Sequence, residues 1–380
     1  MKIVFIANSD WYLFNFKLSF AKEVRRNGHE IVLVSPPGAY VSKFQADGFR
    51  WISLSMDRIS INPISEIGVT YQIYKILQEE KVDLVHNFTT KCIVYGGLAA
   101  KLAGVRYVVQ EFSGLGHLFS KPNIKFRIIK YVVSAFLWIA RDWPGHWALF
   151  QNSRDQELLT SAGLIKKEKT FLILGGVGVD VTKFKPSEKG NLSSIPMILF
   201  ASRLLIEKGI LEFVGAAKEL KNRGVKAEFV VAGEPDPGNP GSATLDDIEK
   251  WKSLNCVSFL GHRSDMPELL QRASIVVLVT SYGEGLPTIL IEAAASGVPI
   301  ITSKNPPCLE VVKHGVNGLT IDEHDQNALV KSIRNLLDSP QERSRMGANA
   351  RRIVIENFEE ESVFKKFIDM YKNIELGLTK

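Results

Sequence analysis

Short apolar runs alternate with amphipathic stretches along nearly the whole chain, and this alternation restricts the fold more than any other feature. The first half contains the runs KIVFIA, EIVLVSP, VDLVHNF, VRYVVQEF and ALFQN. Helical patterns such as FKLSFAKEVRRNG lie between them, and this one ends at Gly28 as a helix stop does. Strands that alternate with helices predict a parallel sheet with right-handed crossovers.

A second series of the same kind follows a polar segment rich in Pro, Gly and Ser, KFKPSEKGNLSSIP at 183–196. Its apolar runs are MILFASR, KAEFVVAG, VSFLG, SIVVLVT, VPIIT and GLTI. We therefore predict an α/β protein with two Rossmann-like domains, 1–185 and 186–358, that face each other across a cleft. Residues 359–380 are predicted as a C-terminal helix that can return to the first domain. In such sheets ligands bind beyond the carboxyl ends of the strands.

Composition narrows the class of protein. The chain has 380 residues, 45% of them hydrophobic and 23% charged, which is enough for two globular cores. Residues 1–185 carry 24 Lys and Arg against 15 Asp and Glu, whereas the rest carries 23 against 26. This asymmetry suggests different partners for the two halves, although a basic half is equally compatible with a solvated surface.

The cysteines and the apolar segments argue against a structural zinc site, a secretory signal and a transmembrane segment. Cys92, Cys256 and Cys308 form no ligand pattern, which favours a reducing compartment and no structural zinc. The N-terminal apolar run is too short for a secretory signal. The longest hydrophobic stretch, YVVSAFLWIA at 131–140, is about half a bilayer span, so no transmembrane segment is predicted.

The segment SYGEGLPTILIEAAASG, residues 281–297, places two glutamates around a predicted helix start. Pro287 suits the first turn because it has no N–H to leave unpaired, and the free N–H groups of that turn can bind phosphate or sugar oxygens. Glu284 precedes the helix, and Glu292 lies about a turn and a half inside it. Both could simply be solvated residues at a helix start. The apolar neighbours of Glu292 favour a binding role, because a buried carboxylate needs partners.

The segment LFASRLLIEKG supplies two cations after a strand, Arg203 and Lys208. An Arg and a Lys on one loop can hold a diphosphate, the Arg by its planar fork and the Lys as a point charge. Alone, this pair is more often a solvated surface pair. Together with the EGLP turn it indicates a nucleotide-sugar site, because such a donor needs both a cationic clamp and groups that bind hydroxyls.

Several segments together resemble a known family. ASRLLIEKG, VSFLGHRSDMPELLQRASIVVLVTSYGEGLPTILIEAAASGVPII and VKHGVNGLTI resemble the second domain of retaining family 4 glycosyltransferases of GT-B fold, which carry an E-x7-E motif. The resemblance covers residues 197–322. In the first half, VRYVVQEFSGLGHLF resembles the Gly-Leu-Gly loop of the bacterial branch that extends polyprenyl-diphosphate-linked sugars.

The resemblance implies roles for matching positions. Arg203 and Lys208 would hold the donor diphosphate and stabilise the leaving group, without a metal ion or other cofactor. Glu284 would contact the donor sugar and Glu292 the ribose hydroxyls. The departing diphosphate can itself take the acceptor's proton, so Glu284 is not assigned as a nucleophile. Further donor-binding positions are the segment Gly285, Leu286, Pro287 and Thr288 and, as a weaker candidate for the base, Arg263.

The sequence departs from the family after the first strand. Many relatives have a glycine pair there, whereas this chain has ANSDWYLFNF, so Asn8 and Ser9 would have to supply the donors to phosphate. On the acceptor side the candidates are Glu111, Gly114, Gly116 and His117. A single histidine after a glycine turn is more often structural than catalytic.

The segment SKPNIKFRIIKYVVSAFLWIARDW, residues 120–143, is a candidate membrane contact. Its cations alternate with large apolar residues, as in a basic amphipathic helix on an anionic bilayer. A core helix with a solvated basic edge is an equally good interpretation. No nucleic-acid-binding module is recognisable, so nucleic acid is not an expected partner. The cations proposed for membrane contact are Lys121, Lys125, Arg127 and Lys130.

The leading hypothesis is a retaining enzyme that moves a hexose or N-acetylhexosamine from a UDP-linked donor to a polyprenyl-diphosphate-linked sugar. Such an enzyme would work in bacterial surface glycan synthesis, on the cytoplasmic face of the membrane. Transfer to lipopolysaccharide core or to a soluble sugar is the alternative within the family. An NAD-dependent oxidoreductase is disfavoured because neither FIANSDWY nor FASRLLIEKG contains a GxGxxG turn. A non-catalytic sugar-binding module is disfavoured because both glutamates and both cations are present.

Overall fold

The computed structural model describes residues 1–58, 60, 62–115, 124–187, 195–283 and 285–377. The chain forms two compact units. As far as they are described, the first consists of Met1–Val177, Gly283–Gly285 and Val363–Lys380, and the second of Gly178–Tyr282 and Leu286–Ser362. The first unit is therefore assembled from three separate stretches of sequence.

The described residues of the first unit contain a sheet of seven parallel strands in the order β3-β2-β1-β4-β5-β6-β7. Because β1 lies between β2 and β4, the strand order reverses there, and the carboxyl ends of β1 and β4 frame the position where ligands bind in doubly wound sheets. The strands are β1 Lys2–Ile6, β2 Glu30–Ser35, β3 Arg50–Ser53, β4 Leu84–Phe88, β5 Tyr107–Phe112, β6 His146–Phe150 and β7 Thr170–Leu172.

Helices connect these strands, and the first connection is unusual. After β1 the chain forms the short helix α1, Asp10–Tyr12, then a π-helical turn, Leu13–Lys17, and then α2, Leu18–Arg26. π-Helical turns are rare and occur often at functional sites. The remaining helices between the strands of this unit are α3 Val41–Ala46, α4 Pro63–Glu80, α5 Thr90–Leu102, α6 Ile124–Ala140 and α7 Ser153–Ser161, with a 3₁₀ turn at Lys167–Lys169.

In the described part of the second unit, six parallel strands repeat the same arrangement in the order β10-β9-β8-β11-β12-β13. The strands are β8 Met197–Ala201, β9 Glu228–Ala232, β10 Ser258–Phe259, β11 Ala273–Leu278, β12 Ile300–Ser303 and β13 Gly318–Ile321. The helices are α8 Ile210–Asn222, α9 Leu245–Ser253, α10 Met266–Arg272, α11 Thr288–Ala295, α12 Pro306–Val311, α13 Gln326–Asp338 and α14 Pro340–Asn357, with a 3₁₀ turn at Ile206–Lys208. The predicted pair of Rossmann-like α/β folds is thus confirmed.

The apolar runs form strands because both faces of each sheet are covered by helices. In β1, Phe5 belongs to a core cluster with residues of α2, whereas Val4 belongs to the cluster on the opposite face with residues of α4 and α5. Continuous apolar runs are what strands buried on both faces require. The pattern missed β3 and β7, because these edge strands have only half-buried or exposed residues.

The last helix, α15 Glu360–Glu375, contributes to the core of the first unit from Val363 onward. The Phe367 ring lies against Phe20 of α2, with ring centroids 4.6 Å apart. Tyr371 is fully buried in the same cluster. The sheet face beside α2 is therefore completed by residues more than 300 positions later in the chain.

Candidate active site

The two cations predicted from LFASRLLIEKG lie after β8, at the carboxyl edge of the second sheet. The Lys208 Nζ atom is 5.3 Å from the centroid of the Tyr282 ring, and the Arg203 guanidinium carbon is 6.0 Å from it. Tyr282 follows β11, the neighbour of β8 in the sheet. The structure thus brings Arg203 and Lys208 together around one aromatic ring at two adjacent strand ends.

Glycine and backbone hydrogen bonds fix the turn that carries Lys208. Gly209 has φ +85°, and a Cβ atom there would lie 2.3 Å from the carbonyl oxygen of Val279. The carbonyl of Glu207 accepts hydrogen bonds from Ser281 N, at 2.8 Å, and from the hydroxyl of Thr280, at 3.2 Å. The turn is therefore pressed against the chain that leaves β11, and a larger residue than glycine would separate them.

Arg203 is already engaged by an acid that the sequence did not indicate. Its Nη1 atom lies 2.6 Å from Asp236 Oδ2, in the loop after β9, and about half of the arginine side chain is exposed. The Lys208 residue, by contrast, is 6% exposed. The two cations differ accordingly: Asp236 orients Arg203 at the surface, whereas Lys208 is desolvated beside Tyr282.

The predicted helix start after β11 is present, one residue later than expected. Pro287 is the N-cap of α11 rather than a residue of its first turn, and no side chain caps the helix. Asn305 holds the preceding loop, because its Nδ2 atom donates to the carbonyls of Thr280, at 3.2 Å, and Tyr282, at 3.1 Å. The first N–H groups of α11, from Thr288 on, receive no side-chain cap from the described residues.

Gly285 and Leu286, two predicted donor-binding positions of this segment, belong to different units. Gly285 groups with the first unit, where Asn152 Nδ2 donates to its carbonyl oxygen at 3.4 Å. A Cβ atom at Gly285 would lie 2.6 Å from the backbone of Ser113, so a side chain does not fit there. Leu286 is buried and belongs to the second unit. Glu284 lies outside the described residues.

Glu292 lies in the second turn of α11 and is half-buried. Ile291 and Ala293 beside it are buried. Burial raises the pKa of the Glu292 carboxyl to about 7, and the charge of Lys183 offsets this only in part. Its carboxylate accepts no hydrogen bond from the described residues. A ligand that donates hydroxyl groups would supply what this carboxylate lacks.

Arg263, the weaker candidate for the nucleotide base, is paired locally. Its Nε atom donates to Asp265 Oδ1 at 2.7 Å, and its Nη2 atom donates to the other carboxylate oxygen. The guanidinium hydrogen bond lowers the pKa of Asp265. The fork of this arginine is therefore occupied by its own loop, and the spacing R-x-D in the sequence was the signal for it.

The loop after β1 has its own hydrogen-bond network. Ser9 Oγ accepts from Tyr12 N at 3.2 Å and caps α1, so this hydroxyl is already engaged. The buried Asp10 carboxylate accepts from Trp11 N and Tyr40 N, both at 2.8 Å. Asn8 is half-buried, and its side chain makes no hydrogen bond within the described ranges.

Glu111, at the end of β5, is the centre of a buried polar cluster. Its Oε1 atom accepts from Lys17 Nζ at 2.5 Å and from Gln151 Nε2 at 2.7 Å, and its Oε2 atom lies 3.0 Å from His86 Nε2. His86 Nδ1 is in turn 2.6 Å from the hydroxyl of Tyr371 on α15. The cluster joins the π-helical turn, strands β4 and β5, the residue that follows β6, and the C-terminal helix of the first unit.

The charges of this cluster are balanced within the protein. Burial alone would raise the pKa of Glu111, but Lys17 and His86 outweigh it and lower this pKa to about 2. Burial lowers the pKa of His86, so its ring is neutral at pH 7. In a neutral ring Nδ1 can accept from the Tyr371 hydroxyl while the proton stays on Nε2, which lies close to Glu111 but is not well aligned with it for a hydrogen bond. Glu111 is therefore enclosed by protein partners rather than exposed to an acceptor.

Sequence reasoning missed Lys17, His86 and Tyr371. A signal was present, because Lys17 stands in the apolar segment LFNFKLSF and His86 in the apolar strand VDLVHNF. A charged or polar residue inside such a run indicates a buried residue with a partner. The identity of the partners, at positions 86, 111 and 371, was not visible from spacing.

The remaining predicted positions are partly outside the described residues. Gly114 is described and has φ +109°, whereas Gly116 and His117 are not. Lys121 and the side chain of Lys125 are also outside them. On α6 the described cations and several large apolar side chains are exposed, namely Arg127, Ile128, Lys130, Tyr131, Val132, Trp138 and Ile139.

None of the described helices combines the length and apolarity that a membrane span requires. No group of three or more His, Cys, Asp or Glu side chains in the described ranges is arranged to hold a metal ion.

Two Rossmann-like sheets, with a cation pair and an uncapped helix at strand ends of the second, define the class of GT-B glycosyltransferases. Comparison with known proteins supports this class. Residues 182–353 match the model of "Glycosyl transferases group 1", and residues 2–139 match that of "Glycosyl transferase 4-like". The chain belongs to these family 4 glycosyltransferases, and the resemblance predicted from its motifs is confirmed.

Curated relatives cover the chain from end to end. N,N'-diacetylbacillosaminyl-diphospho-undecaprenol alpha-1,3-N-acetylgalactosaminyltransferase of Campylobacter jejuni is 28% identical, over 98% of this chain and 99% of the relative. UDP-Gal:alpha-D-GlcNAc-diphosphoundecaprenol alpha-1,3-galactosyltransferase of Escherichia coli is 27% identical over 82% of this chain and 81% of the relative. The protein is thus a glycosyltransferase, as its motifs predict.

Solved structures agree on the fold. A glycosyltransferase from Rickettsia africae superimposes with a TM-score of 0.79 at 21% identity, covering 98% of each chain. Anabaena HepE in complex with UDP and glucose has a TM-score of 0.79 at 18% identity, covering 98% of this chain and 99% of that one.

Proposed function

We propose that this glycosyltransferase moves a hexose or N-acetylhexosamine from a UDP-linked donor to a polyprenyl-diphosphate-linked sugar, with retention of anomeric configuration. The observation that carries the donor side is the pair Arg203 and Lys208 around Tyr282, beside a helix start without a side-chain cap. The acceptor class is taken from the two relatives, because the name of each enzyme includes a sugar linked to undecaprenol through a diphosphate. The product would enter bacterial surface glycan, such as O-antigen, capsule or glycoprotein.

The donor diphosphate would lie between the two cations and the first turn of α11. Lys208 is desolvated, so its charge acts in a low local dielectric and stabilises the leaving diphosphate strongly. Arg203 is turned by Asp236 and would contribute through the part of its fork that remains exposed. Glu292 would accept hydrogen bonds from the ribose hydroxyls, and Glu284 would contact the sugar.

The reaction needs no protein base in this proposal. The bond between the sugar C1 and the diphosphate oxygen breaks, and the acceptor hydroxyl oxygen bonds to C1 on the same face. The departing diphosphate takes the hydroxyl proton, so the products are UDP and the lengthened lipid-linked glycan. Because the cations neutralise the leaving group, we expect transfer without a divalent metal ion. Full activity in EDTA is the expected result, and abolition by EDTA would contradict the metal-free mechanism.

Membrane docking through α6 is the second part of the proposal. Arg127 and Lys130 are exposed on the same helix as a row of large apolar side chains. An exposed basic and apolar helix face binds anionic bilayers. Such docking would bring the enzyme to a lipid-linked acceptor on the cytoplasmic face of the membrane.

A vesicle assay tests the docking. Changing Lys125, Arg127 and Lys130 to Glu should release the protein from vesicles that contain anionic lipid. A matched variant of the second unit, with the exposed residues Lys226, Lys250 and Lys331 changed to Glu, undergoes the same change of charge and should stay bound. Equal binding of the wild type and the α6 variant would exclude this helix as the contact.

A substrate screen tests the transfer itself. Purified protein is incubated with a panel of UDP-linked and other nucleotide-linked hexoses, and with acceptors that carry one sugar on a short prenyl diphosphate, a lipopolysaccharide core sugar or a free sugar. Product mass and anomeric configuration are measured. Transfer to the prenyl-diphosphate acceptor with retention is expected. Transfer only to core or free sugars would replace the acceptor assignment, and inversion would refute the mechanism.

A further inference from the structure

The β9 loop, residues 234–243, packs along the loop after β8, which carries the two cations of the donor site. Two backbone hydrogen bonds join them in an antiparallel arrangement. Ala243 N donates to the carbonyl of Leu204 at 2.8 Å, and Ile206 N donates to the carbonyl of Gly241 at 2.8 Å. The position of the β9 loop relative to the cation-bearing loop is therefore fixed by the main chain.

The sequence of the β9 loop also restricts its conformation. It begins EPDPGNPGS, so Pro235 and Pro237 stand on either side of Asp236. A proline fixes its own φ and limits the conformations of the residue before it. In addition, Asp236 N donates to the hydroxyl oxygen of Ser242 at 2.9 Å. The backbone of Asp236 is thus held in place before any ligand binds.

Asp236 engages Arg203 through one nitrogen atom. Nη1 of the arginine lies 2.6 Å from Oδ2 of the aspartate, and the two side chains are 47% and 13% exposed. Within the described ranges, the Nε and Nη2 atoms of Arg203 donate no hydrogen bond. A guanidinium group carries five N–H donors in one plane. The contact with Asp236 therefore restrains this plane and leaves the Nε and Nη2 edge for another anion.

The pair of Arg263 and Asp265 in the same unit shows the opposite arrangement. There both Nε and Nη2 of the arginine donate to the aspartate, so its own loop fills the edge that binds anions in a bidentate way. Phosphate groups prefer that same edge, because its two N–H groups match the spacing of two oxygens. Asp265 thus occupies its arginine, whereas Asp236 orients Arg203 without occupying it.

We propose that Asp236 is a positioning residue of the transfer reaction, which holds the Arg203 guanidinium so that its Nε and Nη2 groups meet the leaving diphosphate. This inference deepens the proposed function and rests on it, because it assumes that Arg203 binds the diphosphate. Negative charge on the diphosphate grows in the transition state, where a cation held in advance acts most strongly. Loss of Asp236 should therefore lower kcat more than it weakens donor binding.

Kinetic measurements on Asp236→Ala and Asp236→Asn test the role. Asp236→Ala should lower kcat about tenfold and change the donor KM by less than about threefold, and Asp236→Asn, which keeps an acceptor oxygen, should recover part of the loss. The control is Asp338→Ala, which removes the partner of Arg334 from an exposed pair on α13. It should leave kcat within about twofold. Thermal unfolding shows that each variant is folded.

The same substitution in an Arg203→Met protein shows whether the effect passes through the arginine. In that background Asp236→Ala should change kcat by less than about twofold. An equal loss with and without Arg203 would overturn the inference, and so would an unchanged kcat or a raised kcat with tighter donor binding in Asp236→Ala alone. If Arg203→Met lowers turnover and Asp236→Ala does not, the diphosphate clamp stands and only the positioning role falls. Normal turnover of folded Arg203→Met would overturn both.

A measurement without substrate separates the inference from the proposed function. The protein is labelled with ¹⁵N-arginine, and the Nε–H resonance of Arg203 is assigned by its loss in Arg203→Met. Nuclear magnetic resonance then gives the rate of rotation about the Nε–Cζ bond. Slow rotation in the wild type and fast rotation in Asp236→Ala support the orienting contact even if no transfer is detected. Equal rates in the two proteins overturn it, whatever the activity assay gives.

Discussion

Two carboxylates, the buried Glu111 in the first unit and the half-buried Glu292 in the second, differ widely in pKa. Burial alone would raise the pKa of each. Lys17 and His86 bring the pKa of Glu111 to about 2, whereas Glu292, as far as its surroundings are described, has the nearby charge of Lys183 and keeps a pKa of about 7. The difference teaches that partners, and not burial, decide the charge state. Glu111 is completed by the chain itself, and we expect Glu292 to be completed by a ligand.

The largest expected effect tests whether Glu111 depends on its internal partner. Lys17→Met leaves a buried carboxylate without its cation and should lower the free energy of unfolding of the first unit by about 3–5 kcal/mol. Combining it with Glu111→Gln should recover much of the loss. Five of the six tryptophans lie in the first unit, so fluorescence in a Trp251→Phe background follows its unfolding in urea.

Lys22→Met is the matched control for that experiment. Lys22 is partly exposed and lies 2.9 Å from Asp47, so its loss should cost less than about 1 kcal/mol. Equal destabilisation by the two lysine variants would show that the buried pair contributes no more to stability than the exposed pair does.

The next effect concerns Lys208, the buried cation of the second unit. Lys208→Ala should reduce kcat by about 10²–10³, because one preorganised charge at the leaving group is lost. UDP release measures this turnover. Lys304→Ala, which removes an exposed lysine paired with Asp322, should leave turnover within about twofold. Near-normal turnover of a folded Lys208→Ala protein would remove the diphosphate clamp from the proposal.

A smaller effect should appear in the pH dependence of stability. The folded pKa of Glu292, about 7, is above its unfolded value near 4.5. The loss of folding stability caused by its ionisation is therefore absent below about pH 4.5 and grows until about pH 7. Glu292→Gln should therefore gain about 1–3 kcal/mol of stability, relative to the wild type, between pH 5 and pH 8. Glu228→Gln, at an exposed glutamate, should show no such gain. If the difference in stability between Glu292→Gln and the wild type does not change with pH, this carboxylate is not desolvated.

The smallest effect links Glu292 to the nucleotide. Ribose hydroxyls donate to the ionised carboxylate, so UDP affinity should fall as the pH decreases through about 7. Glu292→Gln should weaken UDP binding about tenfold at pH 8 and much less at pH 5.5, as calorimetry would measure. An unchanged affinity at pH 8 would remove the ribose assignment.

The sequence predicted those parts of the molecule that depend on local pattern. Alternating apolar runs required two parallel sheets, and Arg203, Lys208 and the helix start near Pro287 were recognisable from spacing along single loops. The cluster around Glu111 was not, because Lys17 and Tyr371 are more than 350 positions apart and meet only after α15 packs on the first sheet. The Asp236 contact with Arg203 was missed for the same reason, since it joins the loops after two different strands.

The discontinuous first unit has a consequence for synthesis of the chain. Val363 to Ile374 supply core residues beside β1 and α2, but they leave the ribosome after the whole second unit. The core beside β1 and α2 therefore cannot be completed until Val363 to Ile374 have been synthesised. The apolar surface of Phe20 stays exposed until then. A chain halted before Val363 would carry a complete second unit and an unfinished first one, with His86 lacking its tyrosine. A truncation near the end of the coding sequence would thus produce a folding defect in the first unit, most of which is encoded at the beginning.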